Sequence, residues 1–132
     1  MEAVVPTPQD WQVQYQQYHV SPAIRAGDHL YCCGVTGWDR DIGRAPTDPE
    51  AQFDRAFRNV AEVLEAASAG WADVVKAVSF HVGGLQEHIP TFVRVRDRYI
   101  SEPYPVWTAA VVTELPDPTA IVEIEVTALI GQ

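Results

Sequence analysis

Few residues in this chain could do chemistry, and the most promising is a pair of carboxylates. Glu123 and Glu125 sit in the run 120–130, which otherwise reads as a β-strand. Side chains alternate along a strand, so Val122, Ile124, Val126, Ala128 and Ile130 share one wholly apolar face. Ile121, Glu123, Glu125, Thr127 and Leu129 share the other, which must meet water, a partner or a ligand. The run 105–112 just upstream sorts the same way and carries Trp107. Residues 114–119 link the two, and their prolines stop either strand from continuing. If the runs pair antiparallel, Trp107 and Glu123 look out of the same side, and a large ring and a carboxylate facing one space begin a ligand cleft. The plainer alternative is a surface strand with solvated glutamates and a tryptophan covering a subunit contact. Taken alone, the stretch favours that alternative.

The remaining reactive groups read as ordinary ones. Cys32 and Cys33 are the only cysteines. Neighbours in a strand point to opposite faces, so the two make neither a disulfide framework nor a metal clip, and a reducing cytoplasm is the expected setting. Cys33 could be a nucleophile only beside a base and an anion-stabilising site; otherwise it is a small buried hydrophobe. His29 and Cys32, three apart, fall on opposite faces and do not pair on a metal. His81 alternates with Ser79 and Ala77 and reads as a hydrogen-bonded strand histidine. Lys76, the only lysine, stands near Asp73 as a surface or ion-pair residue rather than a Schiff-base lysine. Phosphate-cradling glycine patterns and the Gly-x-Ser-x-Gly elbow are absent.

The elements that must position these groups follow from patterning. At 132 residues with 47% hydrophobic content the chain is expected to be one globular domain, residues 1–132. Nine basic against eighteen acidic residues give a formal charge of −9, which argues against nucleic-acid or anionic-membrane partners. No signal peptide or apolar run of membrane-spanning length is visible. Residues 1–10 read as a lead-in, and 11–20, where Trp11, Val13 and Tyr15 alternate with glutamines, as an edge strand. Ala26-Gly27-Asp28 is a tight turn into a strand over 29–38, in which Gly34 and Gly37 mark bends or close approaches. A helix opens at Thr47-Asp48-Pro49-Glu50, with Thr47 and Glu50 as a capping box or Asp48 capping ahead of Pro49. Its stripe is Phe53, Phe57, Val60, Leu64 and Ala67, and it ends near Gly70. A strand over 74–82 and a second helix over 90–100 precede the two runs already described. Two helices on one side of a mostly antiparallel or mixed sheet make an α+β layer fold.

Four ordered stretches resemble the Rid (reactive-intermediate deaminase, YjgF-like) family. They are Ile24 to Asp28 with Leu30 to Gly34, the helix of residues 51–70, Trp71-Ala72-Asp73-Val74-Val75-Lys76 with its strand, and Glu114-Leu115-Pro116 through Glu123-Ile124-Glu125-Val126. The resemblance implies a chorismate-mutase-like α+β protomer assembled as a homotrimer, sheets inward, with small-molecule clefts between subunits. It further implies cofactor-free hydrolysis of imines or enamines of amino acids. An arginine in the family's Pro-Ala-Arg-Ser grips the substrate carboxylate, and the first glutamate of Glu-Ile-Glu holds the attacking water. Here that motif is Pro105-Val106-Trp107-Thr108, so Trp107 replaces the arginine. Glu123 keeps the glutamate's place, and Gly34 keeps the ligand-contacting glycine, preceded by Cys33 instead of Ser. Val20 falls on the family's cleft tyrosine and Val93 near its second-helix asparagine, with His19 or Tyr18 close by. Loss of a bidentate carboxylate clamp is not conservative. The resemblance therefore implies an altered substrate, or else a non-catalytic ligand-binding or partner-docking trimer.

Overall fold

The computed structural model describes residues 1–131. In chain order the elements are β1 (Glu2–Val4), α1 (Gln9–Gln17), β2 (Ala23–Ala26), β3 (His29–Cys32), β4 (Val35–Thr36), α2 (Pro49–Ala66), β5 (Val74–Val82), α3 (Leu85–Arg96), β6 (Val106–Val112) and β7 (Val122–Leu129). One mixed sheet runs β1-β2-β3-β7-β5-β6, with β4 also on β7. The α+β expectation holds, with three helices instead of two. No helix among the described residues is long and apolar enough to cross a membrane.

α2 forms for the reasons its pattern states. Of the two frames, the structure takes Asp48, whose Oδ2 accepts from the Ala51 amide at 3.0 Å ahead of Pro49 at the first helical position. Phe53, Phe57, Val60 and Leu64 are essentially fully buried against the sheet. Burial of each contributes about 1.5–3 kcal/mol. The helix ends at Ala66, and Ser68, at φ 59°, makes the left-handed turn expected of Gly70.

Four elements differ from expectation. Residues 9–17 are a helix, not an edge strand. The alternation of Trp11, Val13 and Tyr15 is incidental, because only Trp11 is buried. The glutamines around it suit a helix better than a strand. The second helix starts at Leu85, not Pro90. The left-handed Gly83 and Gly84 turn the chain directly into it, and Pro90 sits inside. The strand expected over 29–38 is two. From Tyr31 to Val35 this side advances four residues while β7 retreats three, from Thr127 to Ile124. The surplus residue is a bulge at Cys33-Gly34.

The fourth difference matters most. β6 does not pair with β7, because β5 lies between them, parallel to β6 and antiparallel to β7. A strand–helix–strand crossover through α3 delivers β6 parallel to β5. Ala77 then stands beside Trp107 on one side and Val126 on the other, a row facing the helices. Phe80 stands beside Ala110 and Glu123, a row facing away. Trp107 and Glu123 are thus on opposite faces of the sheet. The shared cleft expected for them does not exist within this chain.

Trp107 instead completes an aromatic layer under the helices. Its ring lies 6.1 Å from Phe57, 6.0 Å from Phe92 and 6.4 Å from Trp71, nearly parallel to the last. Its Nε1–H donates to Ser79 Oγ at 3.0 Å, and Ser79 Oγ also pairs with His81 Nε2 at 2.8 Å. Both Ser79 and His81 are buried. His81 is therefore the hydrogen-bonded strand histidine expected, and burial, with His88 adding, lowers its pKa. On the far face Val78, Phe80 and Val82 of β5, each half-buried, lie beside Thr108, Ala110 and Val112 of β6.

Candidate functional site

At the bulge, the sheet parts from its neighbours and leaves a groove of about 790 Å³. α1 forms one wall, residues 116–118 the other, and β4 with the start of β7 the floor. Trp11, Gln14 and Tyr18 all line the groove, at a spacing of three and four residues that puts one helical face toward it.

Each wall is fastened by a polar contact that the apolar pattern does not announce. The Trp11 indole donates to Glu62 of α2. The Arg40 guanidinium spans Asp10, at 3.1 and 3.3 Å, and the same Glu62. Burial resists the Glu62 charge, but the Arg40 and Trp11 hydrogen bonds prevail and its pKa falls. On the opposite wall, buried Gln52 accepts from the Ile121 amide at 2.6 Å and donates to the carbonyls of Pro46 at 2.8 Å and Thr119 at 3.4 Å. Asp117 Oδ1 accepts from the Thr119 amide and hydroxyl, at 2.8 and 2.7 Å. Asp117 Oδ2 is buried without a partner. Asn59 Nδ2 donates to the carbonyls of Thr36 at 3.0 Å and Trp38 at 2.7 Å, fixing the chain where Trp38 enters the groove.

Glu123 is the carboxylate of this arrangement that faces the bulge. It is half-buried, and burial first, then the Glu125 charge, raises its pKa above the usual carboxylate value. Among the described residues no hydrogen bond or cation acts to lower it. Its carboxyl packs against the bulge so closely that a Cβ on Gly34 would lie 2.7–2.8 Å from it. Glycine at 34 makes room for this close approach; a larger residue would push the Glu123 carboxyl aside. Cys33 stands alongside, its Sγ accepting from Gln14 Nε2 at 3.4 Å. Burial raises the Cys33 pKa, and Glu123 adds to the rise, so the group there is a thiol. Cys32, on the other face, is buried and pushed up to about 12.

The groove thus gathers Glu123, Cys33, Gly34 and Val20 from among the residues marked by sequence, together with Tyr18. It does not gather Trp107, Thr108 or Val93. Trp107 is in the aromatic layer, Thr108 is exposed on the far side of β6, and Val93 is half-buried on α3. Sequence reasoning missed Asp117, Trp38, Asn59 and Gln52. Gln52 and Asn59 left a signal, two polar residues seven apart beside the apolar stripe of α2. Asp117, between two prolines and ahead of Thr119, carried the signature of a side chain closing its own turn. Trp38 carried none.

Residues 13–130 match the family model described as Endoribonuclease L-PSP. The chain belongs to that family, the Rid/YjgF proteins. It is 33% identical over 101 residues to the RutC family protein YjgH of Escherichia coli, covering 76% of each chain. It is also 33% identical over 108 residues to a 2-iminobutanoate/2-iminopropanoate deaminase of Dermatophagoides farinae, covering 80% of each. A solved structure of protein YJGH superposes with a TM-score of 0.85 at 32% identity, over 99% of this chain and 97% of that one. RidA from the Antarctic bacterium Psychrobacter gives 0.79 at 26% identity, over 98% and 97%. In this chain Glu123 and Gly34 meet in the groove, whereas Trp107 is turned into the core.

Proposed function

We propose that this Rid-family chain forms a homotrimer and hydrolyses a small, reactive imine or enamine that lacks an obligatory carboxylate. Glu123 is its acid–base group, in a groove completed by a neighbouring subunit. The observation that carries the reading is Glu123 itself, half-buried, unpaired and raised in pKa against Gly34. A carboxyl shifted toward neutrality is suited to taking and returning a proton. Glu123 takes a proton from water as the water oxygen bonds to the imine carbon and the C=N π pair moves to nitrogen. The proton is returned to nitrogen. Collapse of the carbinolamine passes the hydroxyl proton to nitrogen, breaks the C–N bond and leaves a carbonyl and ammonia.

Trimerisation is supported by the far sheet face, where the apolar Val78, Phe80 and Val82 are only half-buried. An apolar sheet face left partly exposed is completed by packing on another surface. The altered substrate is supported by Trp107, which offers the groove no cation to hold a carboxylate.

Glu123→Gln keeps the shape and most hydrogen bonding but removes carboxylate chemistry. Ammonia release from an imine without a carboxylate is expected to fall by about 10²–10⁴-fold with the oligomer unchanged, the scale of general acid–base catalysis. Turnover unchanged in that variant refutes the assignment. A second reading, a non-catalytic trimer that sequesters a ligand or docks on a partner enzyme, is favoured by the burial of Trp107, which removes the family's clamp altogether. It expects no turnover in the parent chain and Glu123→Gln nearly silent.

A further inference from the structure

The groove walls carry a charge pattern opposite to what an anionic substrate requires. Among the described residues, none that line it is Lys, Arg or His. Three lining residues are acidic, Asp10, Asp117 and Glu123. They are not equivalent. Asp10 is neutralised by Arg40, whose guanidinium is committed to Asp10 and Glu62 and so is not free for a ligand. Among the described residues Glu123 has neither a hydrogen bond nor a cation to lower its pKa. Asp117 has one oxygen spent on Thr119 and a second that is buried without a partner. Glu123 thus brings an unpaired carboxyl into the groove, and Asp117 adds a second negative charge on the opposite wall, its orphan oxygen buried. A half-buried carboxyl without a partner is stabilised by a cation placed beside it.

The other lining supplies what an organic cation needs. Trp11, Tyr18 and Trp38 put three aromatic rings on the same groove, and the faces of such rings attract cations. The whole chain, at −9, draws cations toward it over longer range. We propose that the groove is a binding site for a small organic cation, a protonated amine or iminium without a carboxylate, held between these rings and the carboxylate of Glu123, with the charge of Asp117 acting from the opposite wall. This rests on the function proposed above and names its ligand class: the protonated form of an imine is such a cation.

The groups facing Glu123 set the pH behaviour. They are Cys33 at the bulge, Tyr18 beyond α1, Asp10 on α1 (held by Arg40), Asp117 on the opposite wall and Glu125 on its own strand; β5 contributes the uncharged Phe80 and β4 the uncharged Thr36. A bound cation favours the ionised carboxyl, so binding of a permanent cation strengthens as pH rises through the Glu123 titration.

The test uses equilibrium binding of non-reactive probes to the full chain, so it does not depend on turnover. Benzylammonium, benzyl alcohol and benzoate share one ring and differ in charge. Indole fluorescence, with calorimetry as a check, is expected to show benzylammonium binding about tenfold or more tighter than benzyl alcohol, with benzoate weakest. Glu123→Gln and Asp117→Asn, which keep the side-chain shapes, are each expected to weaken benzylammonium several-fold and leave benzyl alcohol unchanged. Benzyltrimethylammonium is expected to bind more tightly at higher pH in the parent, with the slope reduced in Glu123→Gln. Benzoate binding as well as benzylammonium, or benzylammonium affinity indifferent to both variants, overturns the proposal. If the cation preference holds but no imine is hydrolysed, the ligand class stands and the catalytic reading falls. If hydrolysis depends on Glu123 while the probes bind without regard to charge, the ligand class falls alone.

Discussion

Trp107 occupies the position where a substrate clamp is expected, yet the structure makes it part of the core, and thermal stability separates the two roles. Trp107→Ala removes a ring that touches Phe57, Trp71 and Phe92 and the N–H that serves Ser79. Truncating a buried aromatic typically costs about 3–5 kcal/mol. Trp107 is only half-buried at the sheet's edge strand, so the low end, about 3 kcal/mol, applies. Trp107→Phe retains most ring contacts and loses the hydrogen bond, about 1 kcal/mol. Unfolding entropy for 132 residues is about 0.28 kcal/mol per K, so each kcal/mol shifts Tm by about 3–4 °C. The expected shifts are therefore about −10 °C for Trp107→Ala and about −3 °C for Trp107→Phe. They are read by calorimetry at one fixed protein concentration, since assembly makes Tm depend on it. An exposed cleft residue would cost under about 0.5 kcal/mol, or under 2 °C. A Trp107→Ala shift that small, accompanied by changed ligand binding in the groove, refutes the placement of this ring in the core.

Other perturbations probe the groove and its supports. Gly34→Ala drives a Cβ into the Glu123 carboxyl, which as a side chain can swing away; activity or probe binding at the groove is expected to drop several-fold while Tm changes by only a few degrees, and unaltered binding speaks against the close packing. Gln52→Ala leaves the Ile121 amide and the Pro46 carbonyl without their buried partner, a cost of about 2–4 kcal/mol in urea denaturation; a cost below about 1 kcal/mol shows the clamp to be unimportant. His81 has a folded pKa below its unfolded value of 6.5, so the unfolded chain binds the extra proton and stability rises with pH through that region. The contribution is complete above about pH 6.5 and is lost as pH falls toward the folded value. Urea midpoints from about pH 7.5 down to 5.5 should drop more steeply in the parent than in His81→Gln, and parallel curves would contradict this.

Much of the fold was legible because single elements announce themselves locally. The apolar stripe of α2, the Asp48-Pro49 start, the strand over 74–82 and the one-sided pattern of β7 each follow from periodicity, which depends only on near neighbours along the chain. The family motifs singled out Glu123 and Gly34 for the same reason, being contiguous in sequence, and the structure sets the two against each other. Sequence failed where the answer depended on which strand lies beside which. Two consecutive strands were expected to pair, and the insertion of β5 between β6 and β7 moved Trp107 and Glu123 to opposite faces. Period-two alternation says that residues 107 and 123 each have a face, but not that the faces agree, because that is decided by long-range pairing. The 11–20 segment failed for a related reason: one buried tryptophan among glutamines satisfies either period, so its helix shows only in the weak propensity of the glutamines, and the partner of the tryptophan, Glu62, lies far along the chain. The groove is likewise a product of tertiary structure. Its carboxylates, rings and glycine come from α1, the bulge, residues 116–118 and β7, and no local pattern joins them until the sheet does.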